Sequence, residues 1–355
     1  MFLSFLELNN FRNIPSQGIN FARGITVLWG ENGGGKTNIL ESAYVLSYLR
    51  PLRRGGISQL VRHGESESFI RGRVLSGDVE TRLGVHLRRG GKITAHRQDE
   101  KADSFREYAG GLLSVAFVPD NVRELFGPPQ GRRRLLDQSA AMVRPLHVDV
   151  LLEFLRCLRH RNRLLFLIRD GRAKESLLDS FDSEFCRLSA ELAKRRKSVV
   201  SNIRRYFDLF YENIDGTGGT SLQEDIGFDE GALARAREQD IVKGTSTYGP
   251  HRDDFTILLN GRDGRFYASQ GRKRILSIAF RLSQAMLLRD LTGHKPVLLL
   301  DDVTSEIDPG RRGRLLKILE DMAFQTVITS TEAEIVRKGF SHEIRALQVQ
   351  NGAIM

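Results

Sequence analysis

The chain has 355 residues, with 54 Lys and Arg against 44 Asp and Glu and 40% hydrophobic residues. That is enough for one large or two ordinary domains with real cores. No apolar run reaches a membrane span, and MFLSFLELNNF has no basic flank, extended apolar core or small-residue cleavage site, so a cytoplasmic protein is expected. The excess charge is concentrated: Gly131 to Arg205 holds 18 Lys and Arg against 9 Asp and Glu, while the rest is nearly balanced. A local positive field of that kind suits a polyanion such as nucleic acid, although any single cation is as readily a solvated helix face.

In chain order, FLELNNF and GITVLWG are the first strand candidates, and the alternation in TRLGVHLRRGGKITAHR adds more. Gly30-Glu31-Asn32-Gly33-Gly34-Gly35-Lys36-Thr37 follows the apolar ITVLW and precedes the helix-like NILESAYVLSYL. Glycines at this spacing let backbone N–H groups turn inward onto phosphates. Lys36 adds a mobile cation, and the Thr37 hydroxyl is placed to hold Mg²⁺ at a helix start. From about 128 the period changes: Leu151, Phe154, Leu155, Leu158 and Leu165, then Phe181, Phe185, Leu188 and Leu192, fall at helical spacing. Cys157 and Cys186 lie in these stretches without CxxC spacing and read as small hydrophobes. TGGTS at 217 to 221 and the acidic run after it read as a loop.

Strand signals return in DDFTILLNG, KPVLLLDD and QTVITST. The expected fold is therefore α/β, in two sequence halves, 1–127 and 246–355, with a helical lobe, 128–245, inserted between them. Pro296 to Leu300 is a continuous apolar run, as in a fully buried parallel strand, and it ends in Asp301-Asp302. Carboxylates belong at that strand's carboxyl edge, with Asp301 as Mg²⁺ ligand and Asp302 polarising a water. Ser269, Gln270 and Gly271 open a basic helix, RKRILSIAF. His251 in GPHRDDF has no second histidine at ligand spacing and reads as part of a turn; His63, His86 and His96 form no constellation.

GENGGGKTN, YASQGRKR and DDVTSEID occur in the order found in ABC-type ATPase heads. With LxxFRN (Leu8 to Asn13), FVPDN and GRRRLLD (Phe117 to Asp137) and GPHRDDF, the whole chain resembles the RecF family of DNA replication and repair proteins. The resemblance implies a mixed sheet around the phosphate loop and ATP with Mg²⁺ as ligands. It also implies a head-to-head homodimer in which two ATP molecules are sandwiched. Arg12, Asn13, Gly30, Asn32, Gly33, Gly34, Gly35, Lys36, Thr37 and Asn38 would bind one nucleotide in cis. Ser269, Gln270 and Gly271 would reach the partner's nucleotide in trans, and Ser305 to Asp308 would cross the same interface.

Lys36, Asp302 and the trans Ser269 are then the catalytic candidates, and Thr37 and Asp301 the metal candidates. Asp302 stands where transporters carry a longer Glu, which suggests slow turnover; the resemblance implies a weak, DNA-stimulated ATPase used as a switch. Thr329, Ser330 and Thr331 replace a switch histidine. Asp120 and Asn121 are the candidates for an absent glutamine loop, and Arg272 stands where a glutamine is usual. Candidate DNA contacts are Arg53, Arg54, Arg132, Arg133, Arg134, Lys194, Arg195, Arg196 and Lys197. By resemblance the partners are double-stranded and gapped DNA, RecR and RecO, and the task is to help load RecA at single-strand gaps. The alternative is the ATPase subunit of a transporter, against which stand the large basic insertion and the missing histidine. A Rad50-like protein would need a long heptad coiled coil and a CxxC hook, and neither is present.

Overall fold

The short strand Val297–Leu300 is apolar at every position because it is covered on both faces, and all four side chains are buried. It lies in a sheet of order Ala353–Ile354, Arg345–Gln350, Ile25–Trp29, Thr326–Ser330, Val297–Leu300, Ser114–Phe117, parallel except for the closing hairpin. The computed structural model describes residues 1–53 and 55–355.

Among the described residues a second six-stranded sheet is wholly antiparallel, in the order Ile14–Asn20, Phe2–Phe11, Glu67–Ser76, Val79–Arg88, Ile93–Arg97, Glu100–Ala102. Its inward residues, among them Leu6, Leu8, Ile70, Val74, Leu83 and Val85, share one core with Ile39, Leu40 and Leu46 of the helix Lys36–Tyr48. Burying each such side chain stabilises by about 1.5–3 kcal/mol, so this cluster holds the phosphate loop's helix in place.

The chain divides into two compact units. The first is 1–122, 206–219 and 268–355, and it contains both sheets just described. The second is 123–205 and 220–267. Within it Phe154, Phe185, Leu188, Leu192 and Leu233 form one core cluster, and Leu164, Leu165 and Leu178 another, on the helices expected from the spacing. Leu155 is instead exposed.

These limits differ from 128–245: residues 206–219 group with the first unit, and 123–127 and 246–267 with the second. The expected loop after Gly219 is in part a strand, Thr220–Asp225, paired antiparallel with Asp254–Leu259. Its alternation, with Thr220 and Leu222 inward, was hidden by the flanking glycines and acids. His251 sits in a turn, Pro250–Arg252, and its Nε2 lies 3.0 Å from the Ser246 carbonyl oxygen. Cys157 and Cys186 are free and half-buried, and burial pushes the Cys157 thiol up to about 11.

Candidate functional site

The strand Ile25–Trp29 ends at Gly30, where φ is +142° and a Cβ would come within 2.4 Å of the Val349 carbonyl oxygen. Only glycine fits that approach. The chain then curls to Gly35, at φ +111°, and enters the helix at Lys36. The Lys36 ammonium is folded onto the loop, donating to the carbonyls of Gly30 (2.6 Å) and Glu31 (2.8 Å). Burial lowers its pKa, opposed by the charges of Asp301 and Asp302. The cation is thus held among carbonyl dipoles at the centre of the loop, where an anionic ligand would compete for it.

Asp301 closes the far side. Its Oδ1 accepts from the hydroxyls of Thr37 and Thr329, each at 2.7 Å, and the Asp302 N–H donates to Thr329 Oγ1 at 2.9 Å. The residue is 8% exposed; burial, opposed by those two hydroxyls, raises its pKa above the ordinary carboxylate value. A buried carboxylate against a hydroxyl at a helix start is a hard-oxygen donor pair of the kind Mg²⁺ takes, and a cation there would relieve the unbalanced charge. Asp302 is left-handed, at φ +50°, and its carboxylate accepts from the Ser305 hydroxyl. Asn32, Gly33, Gly35, Lys36, Thr37, Asn38, Arg53, Pro119, Asp301, Asp302 and Thr329 to Thr331 enclose one cleft of about 300 Å³.

Asn38 and Arg53 also line a shallower neighbouring cleft with Arg12, Asn13, Gln59 and His63. Asn38 donates to Asn13 Oδ1 at 2.7 Å, which brings that exposed residue against the phosphate loop. Glu41, not anticipated from the sequence, organises this side. It has no solvent exposure, and its carboxylate takes Arg12 Nε at 3.0 Å and Arg53 Nη2 at 2.8 Å. Burial would raise its pKa, but hydrogen bonds and charge from Arg53 and Arg12 outweigh that and hold it below the usual value. The sequence signal was the lone acid of the helix Lys36–Tyr48, set between Leu40 and Ala43. Asn121, a candidate for the missing glutamine loop, is buried and accepts from the Val118 N–H, while Asp120 is exposed; neither lines the cleft.

Ser269 caps the helix Gln270–Thr292, accepting from the Arg272 N–H at 3.3 Å. Ser269, Gln270 and Gly271 are exposed and are not in the lining of the chain's own cleft, while Ile275, Leu276, Ile278, Ala279 and Phe280 are buried. The three cations after Gly271 are not equivalent. Arg272 lies 3.9 Å from the carboxylate of Asp215, a fully buried group that also takes Arg311 at 2.6 Å and the Thr217 hydroxyl at 2.5 Å. A carboxylate ending a helix opposes the dipole, so Asp215 needs these donors. Arg274 is turned inward toward the segment after Asp302, and Lys273 is half-buried.

The expected DNA contacts separate sharply. Arg132 is buried and paired with Asp254 at 2.6 Å, and Arg196 is buried between Asp137 (2.8 Å) and Asp253 (3.0 Å). Neither offers charge to solvent, which corrects that expectation. Arg133 is half-buried against the Asp253 carbonyl, and Arg195 pairs with Glu191 at 2.6 Å. Arg53 belongs to the cleft. Arg134, Lys194 and Lys197 are exposed, and Arg54 lies outside the described residues.

A phosphate loop, an acidic strand end and a serine-capped helix on a mixed sheet are those of an ABC-type ATPase head, and the RecF/RecN/SMC N terminal domain family model matches residues 2–355. A Myxococcus xanthus protein named DNA replication and repair protein RecF is 33% identical over all of this chain and 97% of its own length. A solved structure of "the recombination mediator protein RecF-ATP in RecFOR pathway" is 30% identical, with a TM-score of 0.87, covering 100% of this chain and 97% of that one. A Pyrococcus furiosus Smc head domain, 17% identical with a TM-score of 0.57 over 99% of this chain and 95% of that one, shares the fold. The chain belongs to the RecF family. Among its described residues no helix is long and apolar enough to cross a membrane.

Proposed function

We propose that this chain is an ATP-switched DNA-binding protein of recombinational repair. The observation that carries the reading is the division of its candidate residues. Lys36, Thr37, Asp301 and Asp302 converge on one cleft, while Ser269, Gln270 and Gly271 stand exposed outside it. Half of a site in the cleft and half on an exposed helix start suit a nucleotide bound between two copies, each adding its helix N-terminus to the other's γ-phosphate.

In this reading Gly30 to Asn38 cradle the phosphates, with Asn13, Arg12 and Arg53 beside them. Lys36 leaves the Gly30 and Glu31 carbonyls for the phosphate oxygens. Thr37 and Asp301 would hold Mg²⁺, which neutralises charge on the phosphates when bound. Asp302 accepts a proton from water as the water oxygen bonds to the γ-phosphorus. The bond to the β–γ bridging oxygen breaks, and ADP and phosphate leave.

ATP would join two copies on double-stranded or gapped DNA, with Arg134, Lys194 and Lys197 among the phosphate contacts, and hydrolysis would release them. Such contacts predict affinity that falls steeply with salt. The relative described as a recombination mediator in the RecFOR pathway supports RecR and RecO as partners; help in loading RecA at single-strand gaps is the task the family resemblance implies. The hydrolysis is expected to be slow and stimulated by DNA.

Mass measurement in solution tests the switch. The expected result is a monomer that becomes a dimer only with ATP. Lys36→Ala should lose nucleotide binding. Ser269→Arg should bind ATP yet stay monomeric, and normal dimerisation of that variant would overturn the trans assignment.

A further inference from the structure

The buried arginine at 274 has no counterpart in the reading above, which uses only the first three residues of its segment. Arg274 lies five residues after Ser269 on the same helix, and its side chain is 7% exposed. It makes three polar contacts, all to one short stretch: Nη2 to the Asp302 carbonyl oxygen at 2.5 Å and to Ser305 Oγ at 3.2 Å, and Nη1 to Glu306 Oε2 at 3.0 Å. Ser305 in turn donates to the Asp302 carboxylate. Both ends of the stretch are left-handed, Asp302 at φ +50° and Glu306 at φ +56°. Non-glycine residues hold that conformation only where surrounding contacts impose it. At Asp302 the carbonyl takes Arg274 together with the hydroxyl and N–H of Ser305, the carboxylate takes the Ser305 hydroxyl, and the N–H donates to Thr329.

The guanidinium suits this task. Its planar fork reaches a carbonyl, a hydroxyl and a carboxylate at once, which an ammonium cannot do with fixed geometry. Its Cζ lies over the ring of Phe117, 5.8 Å from the centroid, at the end of the strand Ser114–Phe117. The cation is therefore clamped between the sheet edge and the stretch that carries Asp302.

We propose that Arg274 is a positioning residue through which each copy's signature helix sets the orientation of its own Asp302. This rests on the reading above and deepens it. The helix start that touches the partner's nucleotide and the carboxylate that acts on the chain's own nucleotide are joined by one side chain. Displacement of the helix start on engaging the partner's γ-phosphate reaches Asp302 through Arg274 and Ser305. Each copy's hydrolysis thereby depends on whether its own signature helix is engaged.

The test compares the full-length wild type with Arg274→Gln and Arg274→Lys, measuring ATP affinity, ATP-dependent mass and steady-state hydrolysis. Arg274→Gln is expected to keep ATP affinity and dimer mass within twofold while kcat falls at least tenfold at unchanged KM. Arg274→Lys should recover part of that loss. Adding Arg274→Gln to Asp302→Asn should lower the residual rate less than twofold, since both changes act on one group.

The proposal is overturned if Arg274→Gln hydrolyses within twofold of the wild type. It is equally overturned if its loss of hydrolysis matches a loss of dimer, or if the double variant falls tenfold below Asp302→Asn. Failure of the parent reading looks different: the wild type itself stays monomeric with ATP, while the kcat comparison still reads the link from Arg274 to Asp302.

Discussion

Two sets of arginines, one in each unit, solve opposite problems. In the second unit, Arg132, Arg161 and Arg196 have their guanidinium groups almost wholly withdrawn from solvent. Arg161, for example, is held by Asp182 and Asp240, each at 2.7 Å. In the first unit, Arg12 and Arg53 share the single carboxylate of Glu41 and keep 18% and 36% of their side chains exposed. Two cations on one buried anion leave positive charge to spare at the edge of a cleft, whereas cations matched by carboxylates leave none. A count of basic residues therefore overstates the field of the basic segment, and position within the helix decides which charges reach a ligand.

The largest test of this contrast is Arg196→Met. Removing one partner of a buried pair typically costs about 3–5 kcal/mol, because the carboxylates left behind are uncompensated. Asp253, which burial already pushes to about 6 against the opposing charge of Arg196, would lose that support. The denaturant midpoint should fall accordingly, while ATP affinity, measured well below that midpoint, should stay within twofold. A matching loss of ATP affinity would show that the pair serves the nucleotide site as well.

Glu41→Gln should cost less stability, about 2 kcal/mol, since its arginines can turn toward water. It should, however, weaken ATP binding several-fold by freeing Arg12 and Arg53. Unchanged nucleotide affinity by calorimetry would mean that those arginines need no anchor.

Asp301→Asn should give the smallest effect on stability and the opposite sign. The folded-state pKa of Asp301 lies above its unfolded value, so the folded protein binds the proton more readily. Its contribution to stability is therefore present at low pH and lost as pH rises through the folded value. At neutral pH without nucleotide, the amide should raise Tm by roughly 1 to 2 °C, and the gain should vanish below pH 3.8, where the carboxyl is neutral in both states. ATP hydrolysis should be lost. A lower Tm at neutral pH would show that the carboxylate's bonds to Thr37 and Thr329 outweigh its desolvation.

The parts of the site legible in the sequence were those written locally. Gly30 to Thr37 announce a turn between strand and helix, and Val297 to Leu300 announce a buried strand whose charged end must lie at the sheet's edge. The parts that were not legible depend on pairing across the fold. Glu41 looks like any helical glutamate until Arg12 and Arg53 are brought beside it. Arg132 and Arg196 looked like surface charges because they sit in basic runs. Yet Arg132 is three residues before Leu135, and Arg196 four after Leu192, both buried, which puts each arginine on its helix's inward face. The strand Thr220–Asp225 was obscured for a related reason: its partner, Asp254–Leu259, is some thirty residues away.

The order of the parallel sheet has a consequence for how the protein is made. Ile25–Trp29, which leads into the phosphate loop, is flanked by Thr326–Ser330 and Arg345–Gln350. The antiparallel sheet, drawn from residues 2–102, can assemble while the rest of the chain is still being translated. The strand that carries the phosphate loop must instead wait for almost three hundred further residues, on the order of tens of seconds at ordinary elongation rates. During that interval its apolar edges are unpaired and its loop has no Asp301 or Thr329 opposite it. A nascent chain is therefore exposed to misassembly longest at the segment that will bind nucleotide, and acquires its ligand site only when the last strands arrive.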